Sequence, residues 1–495
     1  MFLTLGANIQ IIFETTKLFI NTFYLQLPRK ITIFVAMKKT VRYLLSMLAI
    51  FVWSTLAVKG QQQADTLCVF STDSIMRHAE RVAAYFMRTT PDVGADSYVG
   101  GKQRNSKIWT RGVFYEGLLN MYRQTPRADW LQYATDWGDY HQWVSSSDNE
   151  AKNDNADYQC CGQSYLELYN LDTTQTIRMQ HIKMRIDGMM AKDKINQWTW
   201  IDAIQMSMPI FAQLGTITGD SRYWQRMYDM YQYTRNKQGG DKKGGGKPLF
   251  NTQTGLWYRD YQYDPPYKDL TEPDKDCYWS RGNGWVYMAL VRVLQFAPGD
   301  ENHRADYVND YLLMSRALKD CQRQDGSWNV SLAAPSNYGE AGSEGPEMTG
   351  TSLFVGGLAY GVRTGLLDST TYLPTIRRGW YAMRRALHDD TGFVGYLQGT
   401  GAKPEDGGVI TYNSVPNFID FGIGCWLWGA AEVYELAQQI ETDSTQGIDN
   451  HIADKPQHMR GDDSSVQPYF NLQGLRVLTP QHGHIYIRGG RKIIY

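Results

Sequence analysis

Trp198-Thr-Trp-Ile-Asp202-Ala-Ile-Gln-Met-Ser-Met-Pro-Ile-Phe-Ala-Gln-Leu-Gly-Thr-Ile-Thr218-Gly-Asp-Ser-Arg-Tyr223 decides the fold. Ile204, Met208, Phe211 and Leu214 recur at helical spacing, so 199–217 reads as a helix. Thr218-Gly-Asp-Ser is a short turn, and a second helix follows over 221–236. The unit is a helical hairpin, and Asp202 stands at the start of its first helix.

The unit repeats. Thr125-Pro-Arg-Ala-Asp129 and Thr364-Gly-Leu-Leu-Asp368 occupy turns equivalent to Thr218–Tyr223. Ile75, Met76, Ala79, Val82, Ala83 and Phe86 mark another apolar stripe, and Ile423, Trp426, Leu427, Ala430, Val433 and Tyr434 a third. Twelve such segments are read at 72–87, 111–124, 127–145, 157–171, 174–190, 199–217, 221–236, 282–297, 304–323, 348–365, 370–388 and 420–440. Strand-like alternation is almost absent from this body. Short turns follow segments two, four, six, eight and ten, while long loops, notably 237–281, 324–347 and 389–419, follow odd-numbered ones. Hairpins with all short turns at one end gather every long loop at the other. The expectation is therefore an all-α chain, six hairpins closing as an (α/α)6 barrel over 65–440. An open solenoid is the alternative, but a binding mouth at the long-loop end fits closure better. Six helix starts would then converge on that mouth: Arg111, Asp157, Asp202, Arg281 with Asn283, Glu347 and Asp420.

The flanks read differently. Met37-Lys-Lys, the apolar run Leu44–Leu56 and the small residues before Gly60 form a secretory signal, 37–60, with 1–36 as an upstream extension. A periplasmic or secreted protein is expected, without stable membrane insertion once the signal is removed. Residues 441–466 are polar and read as a linker. The tail, 467–495, reads as short strands around turns, a β-hairpin-like segment resembling the C-terminal sorting segments of secreted Bacteroidetes proteins.

Composition narrows the function classes. The balance of 50 Lys+Arg against 51 Asp+Glu gives no case for nucleic acid, which needs a concentrated basic surface. Aromatics make up 13% of the chain, mostly as core, with sugar-stacking platforms a use for the rest. The six cysteines show no disulfide framework, and no Cys/His cluster has metal-ligand spacing, so neither a metal nor a cofactor is expected.

Asp202 lies among Trp198, Trp200, Met206 and Met208, where a carboxylate is costly to ionise. That setting suits a general acid near neutral pH, and a first-turn Asp stabilising its helix is the competing reading. Asp157, in Asn155-Ala-Asp157-Tyr-Gln, reads as an N-cap or as a partner to Asp202 that holds a sugar hydroxyl. Trp279-Ser-Arg281-Gly-Asn283-Gly-Trp285 is the densest signal: glycines admit close approach, Arg281 offers a fork for a carboxylate, and Trp offers a face to a sugar ring. A glycine-rich helix start with core tryptophans is the alternative. Glu347 and Asp420 read first as helix-start acids.

With these motifs the chain resembles the unsaturated glycuronyl hydrolases, above all glycoside hydrolase family 105, over about 75–437. Trp279–Trp285 is the most specific match, Pro346-Glu-Met-Thr-Gly-Thr-Ser352 resembles a second family segment, and Asp157 and Asp202 match the two functional aspartates in order and spacing. The resemblance implies an (α/α)6 barrel without metal. It also implies release of the 4,5-unsaturated uronic acid from lyase-generated oligosaccharides, most simply of the pectin or rhamnogalacturonan type. It assigns Asp202 as acid then base, Asp157 to orient the unsaturated sugar, Trp279 to stack on it and Arg281 to bind it. Asn283, Trp285, Trp200 and Arg259 complete the expected binding set. Arg259, in Gly255-Leu-Trp-Tyr-Arg259, stands where many relatives carry His, a departure that implies a different sugar preference. An ordinary inverting glycosidase using Asp157 and Asp202, and a non-catalytic sugar-binding protein, are the alternatives.

Overall fold

The computed structural model describes residues 70–453 except 100–101, 146–153, 269–273, 334–345 and 409, together with four short strands between 469 and 494. The proposed extension and signal segment, 1–60, lies outside the described residues.

The body is mostly helical. Its elements are α1 (Thr72–Thr89), α2 (Trp109–Gln124), α3 (Ala128–Tyr140), α4 (Ala156–Gln159), α5 (Cys161–Leu171), α6 (Ile177–Met190), α7 (Asp202–Thr218), α8 (Ser221–Lys237), α9 (Ser280–Phe296), α10 (Arg304–Asp320), α11 (Met348–Arg363), α12 (Ser369–Arg385) and α13 (Asp420–Ala453). Hairpins α2/α3, α5/α6, α7/α8, α9/α10 and α11/α12 pack internally, and α1 pairs with α13 as the sixth. Around the inside, α2, α5, α7, α9, α11 and α13 each pack on the next, and α13 returns to α2. The helix starts expected to converge are all on this inner set, apart from Asp157 on the short α4.

Burial separates the two rings. On α7 and α9 nearly every residue of the first three turns is buried, as expected of helices surrounded by others. On α1 the buried set is Ser74, Ile75, Ala79, Val82, Ala83 and Phe86, a single stripe. The ring closes where α2 and α13 cross at Gly117 and Gly424: a Cβ on Gly117 would lie 2.1 Å from the Gly424 carbonyl oxygen, so only glycine permits this approach.

The opening hairpin shows how the sequence builds the unit. Gly219 takes a left-handed φ of 69° and ends α7, and the Asp220 side chain caps α8 by accepting from the Arg222 N–H at 2.9 Å. Pro209 sits inside α7 and has no N–H for the Gln205 carbonyl. The Gln163 side chain of α5 donates to that carbonyl instead, at 2.7 Å, so the proline becomes an inter-helix tie.

Two readings shift at the edges. Segment 157–171 is two helices, α4 and α5, meeting at Cys160, and α13 runs on to Ala453 through the first part of the stretch read as linker. Polar residues after 441 carry no apolar stripe, so periodicity alone does not mark that helix end. The tail holds Tyr469–Phe470 (β5), Arg476–Val477 (β6), Ile485–Arg488 (β7) and Arg491–Ile494 (β8), an antiparallel sheet in the order β6-β5-β7-β8. Short ribbons also form in two long loops, β1 (Ser97–Val99) with β2 (Lys102–Arg104) and β3 (Phe250–Asn251) with β4 (Leu256–Trp257).

Candidate active site

The inner-helix starts meet through side chains. Trp109 at the start of α2 packs on Trp285 of α9 at 6.3 Å and on Phe421 of α13 at 5.1 Å between ring centroids. Arg111 bonds Asp420 through Nε at 2.5 Å, a buried ion pair joining α2 to α13.

Asp202, the first residue of α7, is 8% exposed. Its Oδ2 accepts from Arg259 Nε at 3.1 Å, and the other side of that guanidinium bonds Asp260. The Arg259 carbonyl in turn accepts from the Ile201 N–H at 3.0 Å, which pins the loop after β4 beside the start of α7. Burial raises the Asp202 pKa above the ordinary carboxylate value, against the opposing pull of Arg259 and Arg281. Burial likewise opposes charge on Arg259, but Asp202 and Asp260 outweigh it and hold its pKa up. Arg259, a departure in the sequence, is therefore the direct partner of the candidate acid.

Asp157 is not the cap of α4. The Asn155 side chain takes that role, accepting from the Asp157 N–H at 2.9 Å, and leaves the Asp157 carboxyl half-buried. Burial and then the charge of Asp202 raise its pKa to about 6, with Arg259 and Arg104 pulling the other way. Asp157 thus feels the charge of Asp202. Trp200, two residues before Asp202, is half-buried.

Four residues expected to touch sugar are buried in this structure. Trp279 is 1% exposed and donates through Nε1 to Gln398 Oε1 at 2.9 Å, while the Arg281 guanidinium covers its ring at 4.5 Å. Arg281 is itself 1% exposed, with Nη1 and Nη2 donating to the Gln398 and Gly399 carbonyls at 3.0 and 2.7 Å. Its fork binds backbone, not an external carboxylate. Asn283 accepts from the Trp257 N–H at 2.8 Å and donates to the carbonyls of Trp257 and Trp279 at 3.1 and 3.0 Å, so it fixes the β3–β4 ribbon that leads to Arg259. Trp285 has no exposed surface. The frame satisfies the Trp279 indole, the Asn283 amide and both terminal nitrogens of Arg281, while Arg281 Nε and Trp285 Nε1 are enclosed without a partner. Asp202, Arg259 and Asp157 lie within electrostatic reach of one another; we call them the mouth, and the buried Trp279–Trp285 segment the wall.

Sequence reading missed Gln398 and Arg104. Gln398 lies in a loop without periodicity, yet its side chain links Trp279 to the carbonyls of Pro404 and Asp406 at 3.1 and 2.7 Å. Glu347 is a helix-start acid as read, accepting from the Thr349 and Gly350 N–H groups at 2.8 and 2.7 Å. Among the described residues no cluster of His, Cys, Asp and Glu could hold a metal. Cys160, Cys161, Cys277, Cys321 and Cys425 form no disulfide.

Comparison with known proteins places this arrangement. The model of Glycosyl Hydrolase Family 88 matches residues 78–437. The chain belongs to that family. It is 28% identical over 347 residues to the unsaturated 3S-rhamnoglycuronyl hydrolase of Formosa agariphila, covering 67% of this chain and 85% of that protein. A solved structure of a glycosyl hydrolase family 88 protein from Bacteroides vulgatus is 29% identical, with a TM-score of 0.64 over 74% of this chain and 99% of its own. A structure called a polysaccharide lyase is 26% identical, with a TM-score of 0.64 over 75% of this chain and 98% of its own. This family 88 chain is a glycoside hydrolase, as the residues at 279–285, 346–352, Asp157 and Asp202 led one to expect.

Proposed function

We propose that the enzyme releases the 4,5-unsaturated uronic acid from the non-reducing end of oligosaccharides produced by polysaccharide lyases, by adding water across the C4=C5 bond. The observation that carries this reading is Asp202: one buried carboxyl with a raised pKa, held by Arg259 at the mouth of the helical ring, which we read as an (α/α)6 barrel. The protonated group donates to C4, and positive charge develops at C5 and the ring oxygen. Arg259 stabilises the carboxylate left behind. That carboxylate takes a proton from water as the oxygen adds at C5, so Asp202 ends protonated again. The hemiketal then opens and the next sugar leaves. One carboxyl serves twice, whereas ordinary glycosidases divide the work between two. Asp157 orients the unsaturated sugar and Trp200 supplies an apolar surface.

The name of the Formosa relative favours a rhamnose-linked glycuronyl substrate, with rhamnogalacturonan-type oligosaccharides still within that class. Export, expected from residues 37–60, belongs to the same proposal. Likeness to a structure called a lyase favours a second reading, in which a base removes the C5 proton of a saturated uronic acid and the C4 substituent leaves.

Ultraviolet absorbance of the unsaturated uronic acid separates the readings. The hydrolase erases it from an unsaturated disaccharide, and Asp202→Asn lowers that rate about 10³-fold, within the range of a lost general acid–base group. A rise in absorbance on a saturated polymer supports the lyase. Cleavage of saturated oligosaccharides without any chromophore supports an ordinary glycosidase, and binding without turnover supports a sugar-binding protein.

A further inference from the structure

Three of the arginines around the helix starts have their guanidinium groups committed. Arg111 bonds Asp420 and reaches the Val93 carbonyl and Ser97 Oγ. Arg281 bonds two carbonyls through both terminal nitrogens between the rings of Trp279 and Phe421, leaving only Nε enclosed without a partner, and Arg259 bonds Asp202 and Asp260. Arg104 differs. It ends the β1–β2 ribbon in the loop between α1 and α2, half-buried, and its guanidinium lies over Phe418 at 4.5 Å and Trp109 at 5.9 Å from the ring centroids. Among the described residues no carboxylate lies within ion-pair distance of it, and its Nη1 is enclosed without a hydrogen-bond partner.

An enclosed, unpaired guanidinium N–H is costly, more so than a neutral donor. The two aromatic faces hold the group in place and offset part of that cost. Asp157, Tyr158 and Asp420 are close enough to act on its charge, and burial depresses its pKa without any bonded partner to restore it. Trp109, in turn, contacts Trp285 and Phe421 at the helix starts, so Arg104 borders the same mouth as Asp157.

We propose that Arg104 receives the carboxylate of the unsaturated uronic acid, making the β1–β2 ribbon a determinant of specificity for acidic over neutral terminal sugars. The proposal rests on the hydrolase reading for its substrate, but on Arg104 alone for its geometry. A carboxylate accepts two N–H bonds from a guanidinium fork, and a small sideways shift of the ring-stacked group would expose both terminal nitrogens to it. Arg281, buried and bonded to backbone, leaves this role open.

The test is a two-by-two comparison of wild type and Arg104→Gln on an unsaturated uronyl disaccharide and on its methyl ester. Esterification raises KM of the wild type about 10- to 100-fold, the range of one charge-assisted hydrogen-bonded contact. Arg104→Gln raises KM on the free acid by a similar factor, leaves kcat within about threefold, and makes the enzyme indifferent to esterification. Arg104→Lys, which keeps the charge but not the fork, falls between the two. An ester penalty as large in Arg104→Gln as in wild type overturns the inference. So does a variant that is impaired although the wild type accepts acid and ester equally, since Arg104 would then face another group. Should Arg104→Gln fail to fold, Arg104→Lys decides, because a retained wild-type KM excludes fork recognition. Failure of the parent reading looks different: the wild type then leaves the chromophore of both compounds untouched.

Discussion

The wall at Trp279–Trp285 and the mouth at Asp157, Asp202 and Arg259 teach opposite lessons about motif density. The wall packs seven residues into about two turns of chain, yet all are buried, and the Trp279 indole, the Arg281 fork and the Asn283 amide are bonded to the frame. The mouth draws on three separate segments that share no local pattern, yet it holds the partly exposed acid groups. Dense motifs mark where geometry is constrained. Here the constraint reaches chemistry indirectly, since Asn283 fixes Trp257 and the loop from Trp257 delivers Arg259 to Asp202.

The largest expected effect tests whether the wall is structural. Asn283→Ala strips side-chain partners from the Trp257 N–H and carbonyl, while the Trp279 carbonyl keeps the backbone N–H of residue 283, and we expect a loss of about 3 kcal/mol, from about 1–3 kcal/mol per orphaned group with partial relaxation. Urea unfolding measures it. Unchanged stability with a raised KM would move Asn283 from wall to mouth and break the comparison.

Much of this architecture was legible because it is periodic. The hairpin at Asp202–Lys237 is written in its apolar stripe, its Gly219 and its Asp220 cap, and the same signals recur around the ring. Asp157 and Asp202 were legible as acids at helix starts. What periodicity cannot register is contact between distant loops. Gln398 and Arg259 belong to irregular segments, and their partners lie 119 and 57 residues away in the chain. Exposure is equally silent in sequence: Arg281 and Arg104 are the same residue type near the same helix starts, and only packing shows that one is bonded to backbone and the other is not.

Asp157→Asn should act in the opposite sense to Asn283→Ala, lowering kcat/KM about a hundredfold with stability unchanged or raised. Its pH profile carries more information than its rate. Asp157 titrates at about 6, so its change of charge should mark the kcat/KM profile there, beside the loss of the Asp202 proton. Asp157→Asn removes the group that titrates there, so the limb near 6 should give way to the pH at which Asp202 loses its proton. A limb that stays in place would mean that Asp157 does not set it.

Glu116 probes the boundary, because it is as buried as the wall and as acidic as the mouth. It lies on α2 at 1% exposure, accepting from Cys160 Sγ at 3.2 Å and from Gln205 Nε2 at 2.8 Å. Burial raises its pKa from 4.5 to about 7, and Arg292 only partly opposes this. A carboxyl raised on folding favours the folded state fully below the unfolded value, and the benefit disappears as pH climbs through the folded value. The window is therefore 4.5 to about 7. Glu116→Gln cannot ionise, so its stability relative to wild type should improve by about 2 kcal/mol between pH 5 and pH 8, below the linkage limit of about 3 because part of the window lies below pH 5. Thermal or urea unfolding at the two pH values measures the difference, and parallel curves would refute it. The activity profile is the finer readout. If Glu116 belongs to the frame, the alkaline limb of kcat/KM stays with Asp157 and Asp202. A limb that shifts with Glu116→Gln would place this buried acid in the same titrating network, and wall and mouth would be one electrostatic unit.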